Sequence, residues 1–127
     1  KISNIMNKKG RIINITSPGS TRVINNYFSI GVSKAALESM TRYMAFDLAP
    51  KDINVNSISA SLLETDAIKH FPNQDEINNI LKRPNPKQKK LIPNHIAKVA
   101  IMLCSEGGDM IVGQNILVDG GDTLLLR

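Results

Sequence analysis

The sequence predicts an α/β protein, a parallel sheet with helices on both faces, and three observations carry that reading. Short β-branched runs alternate with longer stretches of helical periodicity. Glycine and proline punctuate most of the boundaries between them. The first run, Arg11-Ile12-Ile13-Asn14-Ile15-Thr16, is apolar enough to suit a strand covered on both faces.

The elements follow in order. Lys1 to Lys9 reads as the tail of a helix, with Gly10 as its C-cap glycine. Residues 11–16 form the first strand, and Ser17-Pro18-Gly19-Ser20 breaks it. A polar loop leads to Tyr27. Val32, Ala36, Leu37, Met40, Met44 and Leu48 then recur at mostly three- and four-residue spacings, as on an amphipathic helix that Pro50 closes. Ile53 to Ile58 is the second strand, with Ser59-Ala60-Ser61 as the loop at its carboxyl end. Thr65 to Phe71 reads as a short helix stopped before Pro72. Asn73 caps the next, with Glu76 in capping-box register and Ile77, Ile80 and Leu81 as its apolar stripe, before Pro84 and Pro86 end it. Pro93 suits the first turn of another helix, in which Ile96, Val99, Ala100 and Leu103 share a face and Gly107-Gly108 is the stop. Asn115 to Val118 is the last strand, followed by the turn Asp119-Gly120-Gly121.

Three strands are few for a doubly wound sheet, which has about six when complete. The glycine-rich phosphate turn G-x-G-x-x-G is absent. The expected architecture is therefore the carboxyl-terminal half of a single doubly wound domain, occupying residues 1–127.

Composition narrows the function. Of 127 residues, 42% are hydrophobic and 21% charged, as in a water-soluble globular chain. The longest apolar run, Val99 to Cys104, falls far short of the ~18 residues a membrane span needs. The amino end lacks the apolar stretch of a secretory signal. Cys104 is the only cysteine, so no internal disulfide forms, and a reducing cytoplasm is the simple expectation. Cys104 is expected to be buried in its helix as a small hydrophobe. The net charge of +5 is partly concentrated in Lys82-Arg83 and Lys87-Gln88-Lys89-Lys90. With no Trp, few aromatics and no zinc-ligand spacing, this reads as a solvated basic loop and not a nucleic-acid site. His70 and His95 have no partner at metal-ligand spacing and read as ordinary surface or loop residues.

The chemistry points to Tyr27 and Lys34. They stand seven positions apart at the mouth of the first full helix, and a helical i, i+7 pair returns almost to one face. A phenol is a poor acid at neutral pH, and a fixed ammonium nearby makes its proton easier to give up. By spacing alone the two also fit an ordinary loop aromatic and a solvated lysine.

The wider pattern favours a functional pair. Gly10 to Ser17, Tyr27 to Lys34, Val55-Asn56-Ser57-Ile58-Ser59 and Val118-Asp119-Gly120-Gly121 resemble, in order and spacing, the short-chain dehydrogenase/reductase family across essentially the whole chain. Most members carry Tyr-x3-Lys, but that register falls here on Ile30, which has no proton to donate. Tyr-x6-Lys resembles the family's enoyl-acyl-carrier-protein reductases. Together with Thr65 to Pro72, it looks most like the NADPH-dependent type III enzymes of Bacillus-like bacteria.

The resemblance implies a Rossmann-like fold and an enoyl thioester reductase of fatty acid synthesis. It implies NADPH or NADH as cofactor, and an acyl thioester, on acyl carrier protein, as substrate. It implies that Lys34 bonds the nicotinamide ribose and that Tyr27 bonds the thioester carbonyl. Ser17 holds the place of the family's catalytic serine, or else is a strand-ending hydroxyl. Ala60, Ser61, Leu63 and Thr65 match the positions that hold the carboxamide and phosphates, although Ala60-Ser61 replaces the usual Pro-Gly, and Thr65 also suits a helix N-cap. Residues 65–83 would form the substrate lid, the basic segment 87–90 would face an acidic carrier, and the complete enzyme would be a tetramer. Two alternatives stay open: a carbonyl/alcohol oxidoreductase of the same family, and a non-catalytic truncated remnant.

Overall fold

A computed structural model describes residues 6, 9–72 and 74–124, apart from the side chain of Ala67. Three strands, β1 (Gly10–Thr16), β2 (Ile53–Ala60) and β3 (Asn115–Val118), form one sheet in the order β1-β2-β3. Both pairings are parallel, with Thr16 opposite Ser59 and Ala60 opposite Val118. The crossovers hold helix α1 (Phe28–Leu48) and helices α2 (Gln74–Lys82) and α3 (Pro93–Cys104). Short 3-10 turns occupy Pro18–Ser20, Ala49–Lys51, Asp66–His70, Glu106–Gly108 and Asp122–Leu124. No helix among the described residues is long and apolar enough to cross a membrane.

β2 is the centre, with every residue buried. Side chains alternate along a strand, so its two faces meet different neighbours. Ile58 and Ala60 pack with Ile96 and Leu103 of α3, joined by Ile13, Leu63, Val99 and Ala100. The expected apolar face of α3 is thus the one that builds the core. Asn14 and Thr16 point to the opposite face of the sheet and meet α1 through hydrogen bonds to Thr41 and Glu38. Helices therefore cover both faces.

Several local expectations change. Gly10 opens β1 and caps no helix; the left-handed residue is Lys9, with φ of 66°. The helix expected over residues 1–9 falls almost wholly outside the described residues, as does the Asn73 cap. β1 is an edge of the sheet among the described residues, and one of its apolar side chains, Ile15, is 50% exposed and not covered as expected. β2 runs on through Ala60, because Ser59 and Ala60 still have ladder partners on both or one side. Cys104 is exposed, since Leu103 takes the inward position at the end of α3. His95 is not a loop residue. It sits in the first turn of α3, where its Nδ1 accepts the Ile92 N–H and its own N–H donates to the Ile92 carbonyl. It fills the role that Glu or Gln has in a capping box.

α1 differs most. Its buried residues are Gly31, Glu38, Thr41 and Ala45, whereas Val32 and Met40 of the apolar stripe are exposed. The face that meets the sheet is small and polar because the strand residues opposite are Asn14 and Thr16.

Candidate active site

The carboxyl ends of the parallel strands form one rim, where ligands bind in this architecture. Ser17 leaves β1 immediately after the Thr16–Ser59 pair, and Ala60 closes β2 beside Val118. The turn Pro18–Ser20 begins directly after Ser17, whose carbonyl accepts the Ser20 N–H and hydroxyl.

Tyr27 is the N-cap of α1, with φ −118° and ψ 12°, and is not itself helical. Its hydroxyl nevertheless lies 3.1 Å from Ser17 Oγ. Lys34 Nζ donates to the Ile15 carbonyl at 3.0 Å. Phenol and ammonium thus converge on the end of β1, each tied to that strand and not to the other. Ser17 and Tyr27 are in contact and Lys34 bonds two residues earlier at Ile15, although Tyr27 is not on the helix that the i, i+7 reading assumes.

Two glycines make room for this. A Cβ on Gly31 would stand 2.8 Å from the Gly19 carbonyl oxygen, and one on Gly19 would meet the Tyr27 ring at 2.6 Å. The α1 backbone therefore rests directly on the turn after β1, and the phenol ring lies against Gly19. The Gly31 N–H donates to the Tyr27 carbonyl at 2.7 Å, which starts the helix under the ring.

The other face of the phenol region is aromatic. Phe71 stacks with Tyr27 at a centroid separation of 6.0 Å and an interplanar angle of 23°. This brings the residue after the 66–70 turn onto the site. Sequence reasoning did not select Phe71, and no periodicity links it to Tyr27.

The remaining predicted residues are more dispersed. Ala60 is buried at the end of β2. Ser61 Oγ donates to Asp122 Oδ2 at 3.4 Å. Leu63 packs on the core cluster. Thr65 occupies the N-cap position of the 66–70 turn, but its side chain makes no capping bond, so the capping role falls away. Two shallow clefts flank the rim. One is lined by Ser61, Leu62, Ile80, Leu81 and Leu91, the other by Pro18, Ser20, Arg22, Ser59 and Thr123. Tyr27 and Lys34 line neither.

Asp119 braces the far end of the rim. Its carboxylate accepts the N–H groups of Gly121 and Thr123 and the Thr123 hydroxyl, each at 2.8 Å. Burial pushes this carboxyl upward, but the bonds from Thr123 and Gly121 outweigh it and hold the group below the usual range. Gly120 and Gly121 both have positive φ, as this turn requires.

Comparisons with known proteins agree with this fold. The family model described as enoyl-(acyl carrier protein) reductase matches residues 1–123. A 1-cyclohexenylcarbonyl-CoA reductase of Streptomyces collinus is 35% identical over 92% of this chain and 42% of its own length. An NAD-dependent glycerol dehydrogenase of Listeria innocua is 32% identical over 91% of this chain and 45% of its own. The crystal structure of a Bacillus cereus enoyl-acyl carrier protein reductase with NADP+ superposes with a TM-score of 0.88 at 32% identity, covering 98% of this chain and 49% of that one. The chain therefore spans about half the length, or somewhat less, of these relatives. With the family's fold, order of motifs and sequence all in register, the chain belongs to the short-chain dehydrogenase/reductase family, among its enoyl-(acyl carrier protein) reductase-like members.

Proposed function

We propose that this chain is the catalytic and substrate-binding half of an enoyl thioester reductase, which reduces a trans-2-enoyl group to the saturated acyl group. The observation that carries the reading is that the Tyr27 hydroxyl contacts Ser17 and the Lys34 ammonium bonds the Ile15 carbonyl, two residues apart at the end of β1, with Ile30 in the register where most family members place tyrosine.

The residues present fit a nicotinamide cofactor. An ammonium and two hydroxyls stand at the carboxyl ends of parallel strands, the donor set that a ribose and a carboxamide need. The relatives above use NAD or are seen with NADP+, and NADPH or NADH is the cofactor proposed here. Lys34 and Tyr27 would hold its ribose, the backbone of Ala60, Ser61 and Leu63 its carboxamide, and Thr65 its phosphates. When bound, the reduced cofactor supplies the hydride.

The protein's part is then electrostatic. Negative charge gathers on the thioester oxygen as the β-carbon is reduced, and Tyr27 aims its hydroxyl at that oxygen. A donor whose bond strengthens with the developing charge lowers the barrier instead of merely tightening binding. Ser17 holds the phenol's orientation through the 3.1 Å contact. Phe71 and the half-buried Ile77, Ile80 and Leu81 offer an apolar path for the acyl chain, and closure over it excludes water.

An acyl carrier protein thioester is the proposed substrate form, with the exposed Lys87, Lys89 and Lys90 toward the acidic carrier. Phe28, Val32, Tyr43 and Phe46, exposed along α1, support a homo-oligomer, a tetramer as proposed. A cytoplasmic setting completes the reading. The experiment is an assay of the protein as the cell makes it, with NADPH or NADH and either an enoyl thioester or a 3-ketoacyl thioester. Turnover of the enoyl substrate is expected. Turnover of the ketone alone would establish the carbonyl reductase instead.

A further inference from the structure

The reactive groups are not the only polar contacts between β1 and α1. Two more lie beside them, the first of them buried. Thr16 Oγ1 donates to Glu38 Oε1 at 2.7 Å, with Thr16 3% and Glu38 7% exposed. Asn14 Nδ2 donates to Thr41 Oγ1 at 2.8 Å, and that hydroxyl in turn donates to the Leu37 carbonyl. With Lys34 on the Ile15 carbonyl and Tyr27 against Ser17, these contacts tie the last residues of β1 and Ser17 after it to α1 and its N-cap.

A buried carboxyl beside the reactive pair is unusual. An apolar pair of similar size would fill the space between Thr16 and Glu38 without a desolvation penalty, and often with a gain in stability. Apolar contacts, however, allow a helix to slide or roll by a fraction of an ångström, whereas a hydrogen bond is limited in length and angle. Thr16 is the residue between Ile15 and Ser17, and Glu38 stands one turn beyond Lys34. Any shift of this contact therefore moves both reactive groups relative to the strand end.

We propose that Thr16 and Glu38 are a positioning pair that sets the height of α1 on β1, and so aims Lys34 and Tyr27. The proposal rests on the function proposed above for those two residues. Neither Thr16 nor Glu38 touches substrate; they act through their neighbours.

The test is steady-state kinetics of the protein as the cell makes it, with variants at both positions. Glu38→Ala and Thr16→Val should each lower kcat about tenfold, as a small misalignment does, with KM changed less than about twofold. Glu38→Gln and Thr16→Ser retain the bond and should keep kcat within about twofold of the wild type. The paired apolar replacement Thr16→Val with Glu38→Met should recover thermal stability yet remain slow. Recovery of kcat in that pair would show that packing alone matters and would overturn the proposal. So would Glu38→Gln as slow as Glu38→Ala, which would assign the effect to charge, or unchanged kcat in both Glu38→Ala and Thr16→Val. Where Glu38→Ala does not fold, Thr16→Val against Thr16→Ser decides. All ratios are taken on whichever substrate the wild type turns over. A wild type inactive on enoyl thioesters thus defeats the proposed function, and flat ratios defeat only the positioning pair.

Discussion

The seam between β1 and α1 and the segment that arches from Leu62 to Ile92 hold their side chains in opposite ways. In the seam, buried and half-buried polar groups bond across two regular elements: Thr16 to Glu38 and Asn14 to Thr41. In the arch, the ties are local and exposed, such as Lys69 to Asp66 and the Gln74 amide to the Ile68 and Phe71 carbonyls. The Lys90–Glu64 ion pair is also exposed; its hydrogen bond and charge hold the Glu64 carboxyl below its usual range, but such pairs add little stability. α2 buries none of its described residues. One region thus joins two regular elements through polar bonds, and the other is held by exposed ties. The stack of Phe71 on Tyr27 joins the two.

This contrast can be broken. Tyr27→Phe keeps the ring and its stack but removes the donor, and is expected to lower kcat about 10²-fold, or ~3 kcal/mol, with folding intact by circular dichroism. A loss below about threefold would show that the phenol is not the donor. Gly31→Ala should come next, at about 1–3 kcal/mol of unfolding free energy in a denaturant titration. Its Cβ would meet a backbone oxygen at 2.8 Å, with no side chain to swing aside. A neutral outcome would mean that the seam is softer than described.

Two further changes sharpen the comparison on the other side. The return of the arch rests on the Asp119 turn, where the Lys87 N–H donates to the Gly120 carbonyl at 3.1 Å. The folded Asp119 carboxyl titrates below its ordinary value. Its stabilisation is therefore complete above the ordinary carboxylate range and is lost as pH falls through the lowered folded value. Asp119→Asn should cost about 1 kcal/mol at neutral pH and flatten the acid-side decline in thermal stability below about pH 4. An unchanged acid limb would remove Asp119 from that account. The smallest effect is expected from Ile80→Ala in α2: KM for a long-chain enoyl thioester should rise by less than about tenfold, with kcat and stability nearly unchanged. A drop in kcat equal to that of a seam variant would erase the distinction between the two regions.

Much of this was legible from the residues in order. Alternating β-branched runs and helical periods determine three parallel strands and their crossovers, because period and chain reversal are local properties. The Tyr27–Lys34 spacing singles the two residues out, but the shared helical face it assumes does not hold, because Tyr27 proves to be a cap and not a helical residue. The face that α1 buries was not legible. Hydrophobic spacing selects Val32 and Met40, while the folded chain buries Glu38 and Thr41. That choice depends on what stands opposite, Asn14 and Thr16 across the sheet, and a polar group goes inside only where a partner awaits it. For the same reason Phe71 could be found only in space, and Cys104 lost its expected burial to Leu103 beside it. The sequence by itself determined the elements and singled out Tyr27 and Lys34. Tertiary structure alone decided which polar groups share a buried bond, because the worth of such a bond resides in a neighbour that sequence distance does not reveal.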